Sequence, residues 1–560
     1  MIDKIWAEIA VDSCVKRSID HFFVAPGSRC TPLTLAIANN ESAQVTQHFD
    51  ERGLAFAALG YARATGRPGV FVCTSGTAVA NAFPAVVEAS MDRVPLLLFT
   101  ADRPDELRGI GANQAIEQRN IFGDYPEVFI NLPVPNSSRS ENIEERACFL
   151  NELETAFSKS TDGPVHVNWM FHEPFTIDDA SEEAAAAEQQ KPRFPVGDLP
   201  ERHEVTSADR ERQIEIQGNT IIALGNCKPQ ESREAQRLAK HLNCPLLSDV
   251  TSGISACGFE LPTEFALPQP DTVLHLGDRI TSKSWIAWTQ EAASSGTKFV
   301  HVTPTGQVVN PAGIELSRLR FPFTELNSRI EAAATSDAFT SKWQEANAKR
   351  KAAIESVLAA SESLNEPAVA YFVSEHCPPS EGLFIGNSMP IRDMDRYGLA
   401  GTVEVRNVAA NRGASGIDGL LATATGYTLG LKSRTTVLLG DLSALHDLNS
   451  LALIASSPWP MIVLVVNNQG GHIFDMLPIS QSKHFEQFFA TPHNYRFGGA
   501  AETFGIEYQK ITNMRDLKES YGAAIKGSRS VVLELVTDRQ QNLQTRQAIG
   551  KAIQECRDQH

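Results

Sequence analysis

The sequence predicts an α/β protein made of three doubly wound parallel-sheet domains, and three observations carry that reading. A chain of 560 residues exceeds what one hydrophobic core serves, at about 150 residues per domain. Short, continuous apolar runs ending in Gly, Ser or Thr alternate with longer amphipathic stretches. Runs of that kind, without period-two alternation, suit strands buried on both faces and joined by helical crossovers. Finally, a polar Ala/Glu-rich stretch closed by prolines at 181–199 and a long polar helical pattern at 338–363 interrupt the alternation. They read as a linker and a connecting helix, and divide the chain into domains at 1–180, 200–335 and 350–560.

In the first domain strands are predicted at 22–24, 70–73, 95–99 and 165–167, with a helix over 51–65. The second has strands near 220–224, 245–247, 273–276 and 298–302, again spaced by helical patterns. The third has strands at 383–385, 403–405, 436–439, 461–466 and 531–536, in a layout like that of the first.

Composition narrows the function. With 50 Lys+Arg against 67 Asp+Glu the net charge is -17, which disfavours phosphate backbones and anionic lipid surfaces. Nucleic acid is not an expected partner, and an anionic ligand needs cations gathered locally. The 9 cysteines are odd in number and never spaced C-x-x-C, which points to a reducing cytoplasm. Acids in Met1-Ile-Asp-Lys-Ile-Trp-Ala-Glu stand where a signal peptide needs a basic and then an apolar run, and no run approaches a membrane span.

Ligands of open α/β sheets collect at the carboxyl ends of strands. The run 436–439 ends in Gly440-Asp441-Leu442-Ser443, and the run 461–466 in Asn467-Asn468-Gln469-Gly470-Gly471. Either alone reads as an ordinary turn. Together, Asp441 and Asn468 offer hard oxygen ligands, while the glycines let backbone groups approach a charged ligand closely, as a Mg²⁺-bound diphosphate requires.

This pair of strand ends resembles the diphosphate and metal motif of thiamine-diphosphate-dependent enzymes, of pyruvate-decarboxylase-like architecture. The resemblance implies that Asp441, Asn468 and the Gly470 carbonyl hold Mg²⁺ or Mn²⁺. It also requires a carboxylate opposite the pyrimidine N1′, so that the 4′-imino group can take the C2 proton. Glu51, in His48-Phe49-Asp50-Glu51-Arg52-Gly53, matches the family's catalytic acid; the plainer reading is an acid favoured by the helix dipole. The family builds its sites between subunits, so a homodimer or homotetramer is implied.

Substrate choice must come from other residues. Ala25-Pro26-Gly27-Ser28-Arg29, Thr100-Ala101-Asp102-Arg103-Pro104, Gly386-Asn387-Ser388-Met389-Pro390-Ile391-Arg392 and Asn411-Arg412-Gly413 set arginines beside predicted strand ends. One such arginine is commonly a surface ion pair; four in an acidic chain suggest a substrate bearing several carboxylates. These segments, with the stretches 440–449 and 468–478, closely resemble the 2-succinyl-5-enolpyruvyl-6-hydroxy-3-cyclohexene-1-carboxylate synthase family of menaquinone (vitamin K2) biosynthesis. That family decarboxylates 2-oxoglutarate on thiamine C2 and adds the succinic-semialdehyde carbanion to isochorismate in a 1,4 addition.

By this resemblance Ser28, Arg29, Arg103, Asn113, Gln114, Ser388, Arg392 and Arg412 bind substrate or intermediate. Ile417 wedges under the cofactor, Phe474 and Leu477 line the substrate pocket, and Gly440, Leu442 and Ser443 contact the cofactor with Ser388 and Phe474. Lys283 falls where the family has a basic residue, although Ser284 follows where some relatives have a second. The kept alternatives are an acetolactate-synthase-like enzyme acting on pyruvate and a non-catalytic metabolite binder. A nicotinamide dehydrogenase lacks its G-x-G-x-x-G after a strand, and the P-loop pattern is absent.

Overall fold

The computed structural model describes residues 2–135, 143–173, 175, 214–332, 334–359, 361–398 and 405–558. The 181–199 linker and most of the predicted 403–405 strand lie outside these residues. Every pair of neighbouring strands is parallel, in sheets of six, five, two and six strands.

The first sheet contains β1 (His21–Val24), β2 (Gln44–Gln47), β3 (Gly69–Cys73), β4 (Leu96–Asp102), β5 (Val128–Leu132) and β6 (Pro164–Met170), in the order β2-β1-β3-β4-β6-β5. β3, β4 and β6 are buried at every position, as their unbroken apolar runs require. The next segment carries β7 (Ile214–Ile216), β8 (Thr220–Leu224), β9 (Leu246–Ser248), β10 (Thr272–Leu276), β11 (Lys298–Val302), β12 (Ser317–Leu319) and β13 (Ile330–Ala332). Five of them form the sheet β12-β11-β10-β8-β9, and β13 pairs with β7.

The last sheet contains β14 (Gly382–Ile385), β15 (Asn407–Ala409), β16 (Thr435–Gly440), β17 (Met461–Asn467), β18 (Glu507–Ile511) and β19 (Val531–Val536). Its order, β15-β14-β16-β17-β19-β18, repeats that of the first sheet strand for strand. In each, the chain lays its second strand on one side of the first and its third on the other. That reversal opens a crevice at the carboxyl edge, between β1 and β3 and between β14 and β16.

The strands missing from the sequence reading, β2, β5, β7, β12, β13, β15 and β18, are all sheet edges. An edge strand pairs on one side only, and Gln44-Val45-Thr46-Gln47 and Glu507-Tyr508-Gln509-Lys510-Ile511 carry the polar residues that suit such a position. The predicted 338–363 helix is found as Asp337–Leu358, its Trp343 fully buried.

The chain packs into two compact units, Met1–Arg202 with Asn411–Lys432 and Asp447–Pro458, and His203–Ala410 with Ser433–His446 and Trp459–His560. Within the first, the Glu51–Thr65 helix lies along the Leu420–Leu431 helix. Small residues permit this: a Cβ on Gly60 would stand 1.9 Å from the Thr423 carbonyl oxygen, and one on Gly426 1.8 Å from that of Ala57. Within the second, one continuous core joins residues of β8, β10, the Asp337–Leu358 helix and β14 to β19.

Candidate active site

In the first unit the carboxyl edge of the six-stranded sheet brings together Ser28 and Arg29 after β1, Glu51 after β2 and Arg103 after β4. Asp50 caps the Glu51–Thr65 helix, its Oδ1 accepting the backbone N–H groups of Arg52 at 3.0 Å and Gly53 at 3.4 Å. Glu51 is thereby held as the first helical residue, half-buried at the sheet edge.

Arg29 and Arg103 are buried. Arg29 donates to the Phe171 carbonyl at 3.1 Å and pairs with Glu173. Arg103 donates to the Gln114 carbonyl at 2.9 Å. Burial, and then the neighbouring Arg29 cation, push the Arg103 guanidinium below its ordinary value. Two buried cations at the carboxyl edge of one sheet favour an anionic ligand there. Asn113 and Gln114 stand exposed on the same loop, Gln114 with φ +51°.

A buried network that the sequence reading missed lies beneath this loop. Asp102 accepts from the Arg103 N–H at 2.7 Å, from Arg108 at 2.6 Å and from Asn168 at 2.9 Å. Gln118 donates to Asn168 at 2.9 Å and to the Ala101 carbonyl at 3.2 Å, and accepts the Gly76 N–H at 2.9 Å. No sequence signal pointed to Gln118 or Asn168, because their partners are distant in the chain. Arg412 and Ile417 belong to the same unit, on the loop before the Leu420–Leu431 helix, Ile417 being 36% exposed.

The second unit gathers the other candidates. Gly440 ends β16 and Asp441 opens the Asp441–His446 helix, followed by Leu442 and the buried Ser443. Asp441 Oδ2 accepts the N–H groups of Gln469 at 2.8 Å and Gly470 at 3.1 Å, and Oδ1 that of Leu442 at 2.6 Å. The strand ends of β16 and β17 are thus tied through one carboxylate. His493 Nε2 lies 3.3 Å from Oδ2. Burial pushes the Asp441 carboxyl above the usual range.

The two asparagines after β17 have separate tasks. Asn467 is fully buried and donates to Glu534 at 2.6 Å inside the sheet. Asn468 donates to Glu366 at 2.7 Å, and its buried Oδ1 meets no hydrogen-bond partner. Glu366 is held in turn by Asn542 at 2.9 Å and Arg546 at 2.8 Å. Its role had no sequence signal, since it lies 102 residues from Asn468.

An orphaned amide oxygen beside a destabilised buried carboxylate fits a hard divalent cation, which satisfies the first and compensates the second. The Gly470 carbonyl accepts the His472 N–H at 3.1 Å, and φ of +154° with Ala490 O 2.4 Å from a hypothetical Cβ leaves room only for glycine. Beside Gly440 nothing stands within 4 Å of the position a Cβ would take, so a diphosphate meets open space there. The residues present fit a metal-bound diphosphate.

Ser388, with φ +71° and ψ -125°, precedes the Met389–Tyr397 helix at the end of β14, and its carbonyl accepts from Arg392 at 2.5 Å. A non-glycine residue in that conformation is strained, as is common where a side chain is aimed at a ligand. Phe474 is half-buried against Phe489 at 5.9 Å, and Leu477 is 43% exposed. Lys283 stands apart: it is exposed at the start of the Lys283–Ser294 helix after β10, on the middle sheet.

Comparison with known proteins bears on what these edges bind. Residues 6–121 match the thiamine pyrophosphate enzyme N-terminal TPP-binding domain, 188–385 the middle domain of thiamine pyrophosphate enzymes, and 399–535 the C-terminal TPP-binding domain. The chain is 38% identical to a 2-succinyl-5-enolpyruvyl-6-hydroxy-3-cyclohexene-1-carboxylate synthase of Pelodictyon phaeoclathratiforme, over 99% of this chain and 96% of that one. It is 35% identical to the synthase of that name from Salinibacter ruber, over 98% and 96%. For the Chlorobium phaeobacteroides synthase the figures are 36%, 100% and 99%.

Proposed function

The chain belongs to the thiamine pyrophosphate enzymes and, within them, to the 2-succinyl-5-enolpyruvyl-6-hydroxy-3-cyclohexene-1-carboxylate synthase family, and from that membership we propose how its residues serve the family's reaction. It is a thiamine-diphosphate-dependent synthase that decarboxylates 2-oxoglutarate and joins the remaining four-carbon unit to isochorismate, in menaquinone biosynthesis. The relatives carry the synthase name and not that of an acetolactate synthase, so the pyruvate alternative falls away.

When bound, thiamine diphosphate supplies a nucleophilic C2 and a sink for the electron pair that CO₂ leaves behind. Asp441, Asn468 and the Gly470 carbonyl hold the Mg²⁺ or Mn²⁺, and Gly440, Leu442 and Ser443 border the diphosphate. The buried, unpartnered Asn468 Oδ1 beside Asp441 is the observation that carries this assignment. Glu51 holds the proton opposite the pyrimidine ring; its place at the capped start of a rigid helix supports that role. Ser388, Phe474 and Ile417 contact the cofactor.

Ser28, Arg29, Arg103, Asn113, Gln114, Arg392, Arg412 and Lys283 bind the carboxylates and hydroxyls of the two substrates, with Phe474 and Leu477 as apolar walls. The burial of Arg29 and Arg103 at the carboxyl edge of one sheet supports this for those two, since guanidinium groups bind carboxylates bidentately. Apolar walls favour loss of CO₂ by stripping water from the carboxylate. Domains at 1–180, 200–335 and 350–560 are part of this reading; that each contains one of the three larger sheets supports it.

No helix among the described residues is long and apolar enough to cross a membrane, and all 9 cysteines are free thiols. The free thiols support a cytoplasmic enzyme, and the family's layout implies a homodimer or homotetramer. The test is isochorismate consumption by purified protein with thiamine diphosphate, Mg²⁺ and 2-oxoglutarate, each omitted in turn. Loss that needs all three is expected; loss of isochorismate without 2-oxoglutarate, or turnover of pyruvate instead, would overturn the reading.

A further inference from the structure

Glu88 is a carboxylate that the chemistry above does not use. It sits on the Phe83–Met91 helix, only 2% exposed, surrounded by the first unit's core. Its Oε1 accepts the Gly413 N–H at 2.8 Å and its Oε2 the Ala414 N–H at 2.7 Å. These two N–H groups are consecutive and directly follow Arg412. Oε1 also receives Arg63 Nη2 at 2.7 Å, and the same guanidinium reaches Asp92 at 2.8 Å. Arg63 lies on the helix that Glu51 opens.

The contact is close enough to dictate a glycine. A Cβ on Gly413 would stand 2.5 Å from the Glu88 carbonyl oxygen and 3.1 Å from its carboxyl carbon. Upstream, Asn411 donates to Thr423 at 2.9 Å on the Leu420–Leu431 helix. The backbone is therefore held on both sides of Arg412. An apolar side chain at position 88 would fill the same volume without the cost of burying a charge, so packing alone does not call for a carboxylate.

We propose that Glu88 is a positioning residue for substrate: by binding the Gly413 and Ala414 N–H groups it sets the direction of Arg412, and through Arg63 it ties that arginine to the helix of Glu51. The inference rests on the reading that Arg412 binds a substrate carboxylate. A guanidinium on a loop gains affinity when the loop is already fixed in the binding geometry, and a carboxylate gripping two adjacent amides removes the freedom that matters.

The test is steady-state kinetics of the holoenzyme for wild type, Arg412→Ala, Glu88→Gln, Gly413→Ala and the Glu88→Gln/Arg412→Ala double variant. Glu88→Gln sets an NH₂ group against a backbone N–H; Gly413→Ala displaces the loop while leaving the Glu88–Arg63 pair in place. Arg412→Ala is expected to raise KM for one carboxylate substrate by about tenfold or more. Both loop variants should raise the same KM by about threefold to tenfold, with kcat changed less, and the double variant should match Arg412→Ala within about twofold. Wild-type KM values in both loop variants, alongside an impaired Arg412→Ala, would overturn the positioning role alone. An unimpaired Arg412→Ala would overturn the reading beneath it. Should Glu88→Gln not fold, Gly413→Ala decides; a lowered active fraction with unchanged KM, or failure of both to fold, assigns Glu88 to packing and overturns the proposal.

Discussion

The first and last sheets share one strand order, yet their carboxyl edges are chemically opposite. The first edge carries an acid at a helix start and two buried arginines, Arg29 and Arg103. The last carries Asp441, tied by backbone N–H groups, and Asn468, which donates to Glu366 and keeps an unpartnered amide oxygen. On the proposed reading, the same frame carries the proton-handling group at one edge and the metal-holding groups at the other. What differs is the handful of residues after each strand, while the buried strands that position them are interchangeable apolar runs.

The sharpest way to break this comparison is to show that the two edges fail alike. Glu51→Gln is expected to lower turnover by about 10²–10⁴-fold while thiamine diphosphate still binds, as read by cofactor titration of intrinsic fluorescence. Equal loss of binding would erase the distinction. Asp441→Ala should do the converse, weakening the apparent Mg²⁺ affinity by about a hundredfold because the only charged ligand is gone. Full activity at the Mg²⁺ concentration that just saturates the wild type would count against the ligand role.

Arg392→Ala should raise KM for 2-oxoglutarate or isochorismate by about tenfold with an unchanged melting temperature; unaltered kinetics with both substrates would remove it from the site. Gly426→Ala sharpens the structural side. Its Cβ must displace the Ala57 carbonyl, and a loss of about 1–3 kcal/mol is expected in denaturant titration.

The smallest effect concerns Asp447, fully buried, which accepts the Ala422 N–H at 2.9 Å and the Ser450 hydroxyl at 2.8 Å. Burial pushes its carboxyl to about 6 from the ordinary 3.8. The folded state then holds the proton more tightly than the unfolded chain. This group's contribution to stability is complete below the unfolded value and is lost as pH rises through about 6. Asp447→Asn removes that dependence, so the wild type should gain about 1 kcal/mol on the variant between pH 7.5 and pH 5. A gap independent of pH in paired thermal melts would refute it.

The sequence by itself determined the buried strands and the contiguous motifs at their ends. An apolar run such as Met461-Ile-Val-Leu-Val-Val suits a strand covered on both faces, and the residues that follow it are then placed at the ligand edge. Asp441 and Asn468 were legible for that reason, and Glu51 through its resemblance to the family's catalytic acid at the head of a helix. Edge strands such as Gln44–Gln47 were not, because a strand paired on one side tolerates the polar composition of a loop. Tertiary structure alone decided that Asn467 is structural and Asn468 is left with an unpartnered oxygen. It alone decided that Gln118 bridges two strand ends, and that Glu88 grips a loop 325 residues away. A buried polar group takes whichever partner the strand order brings beside it, and strand order is set by long-range packing that no local window of sequence contains.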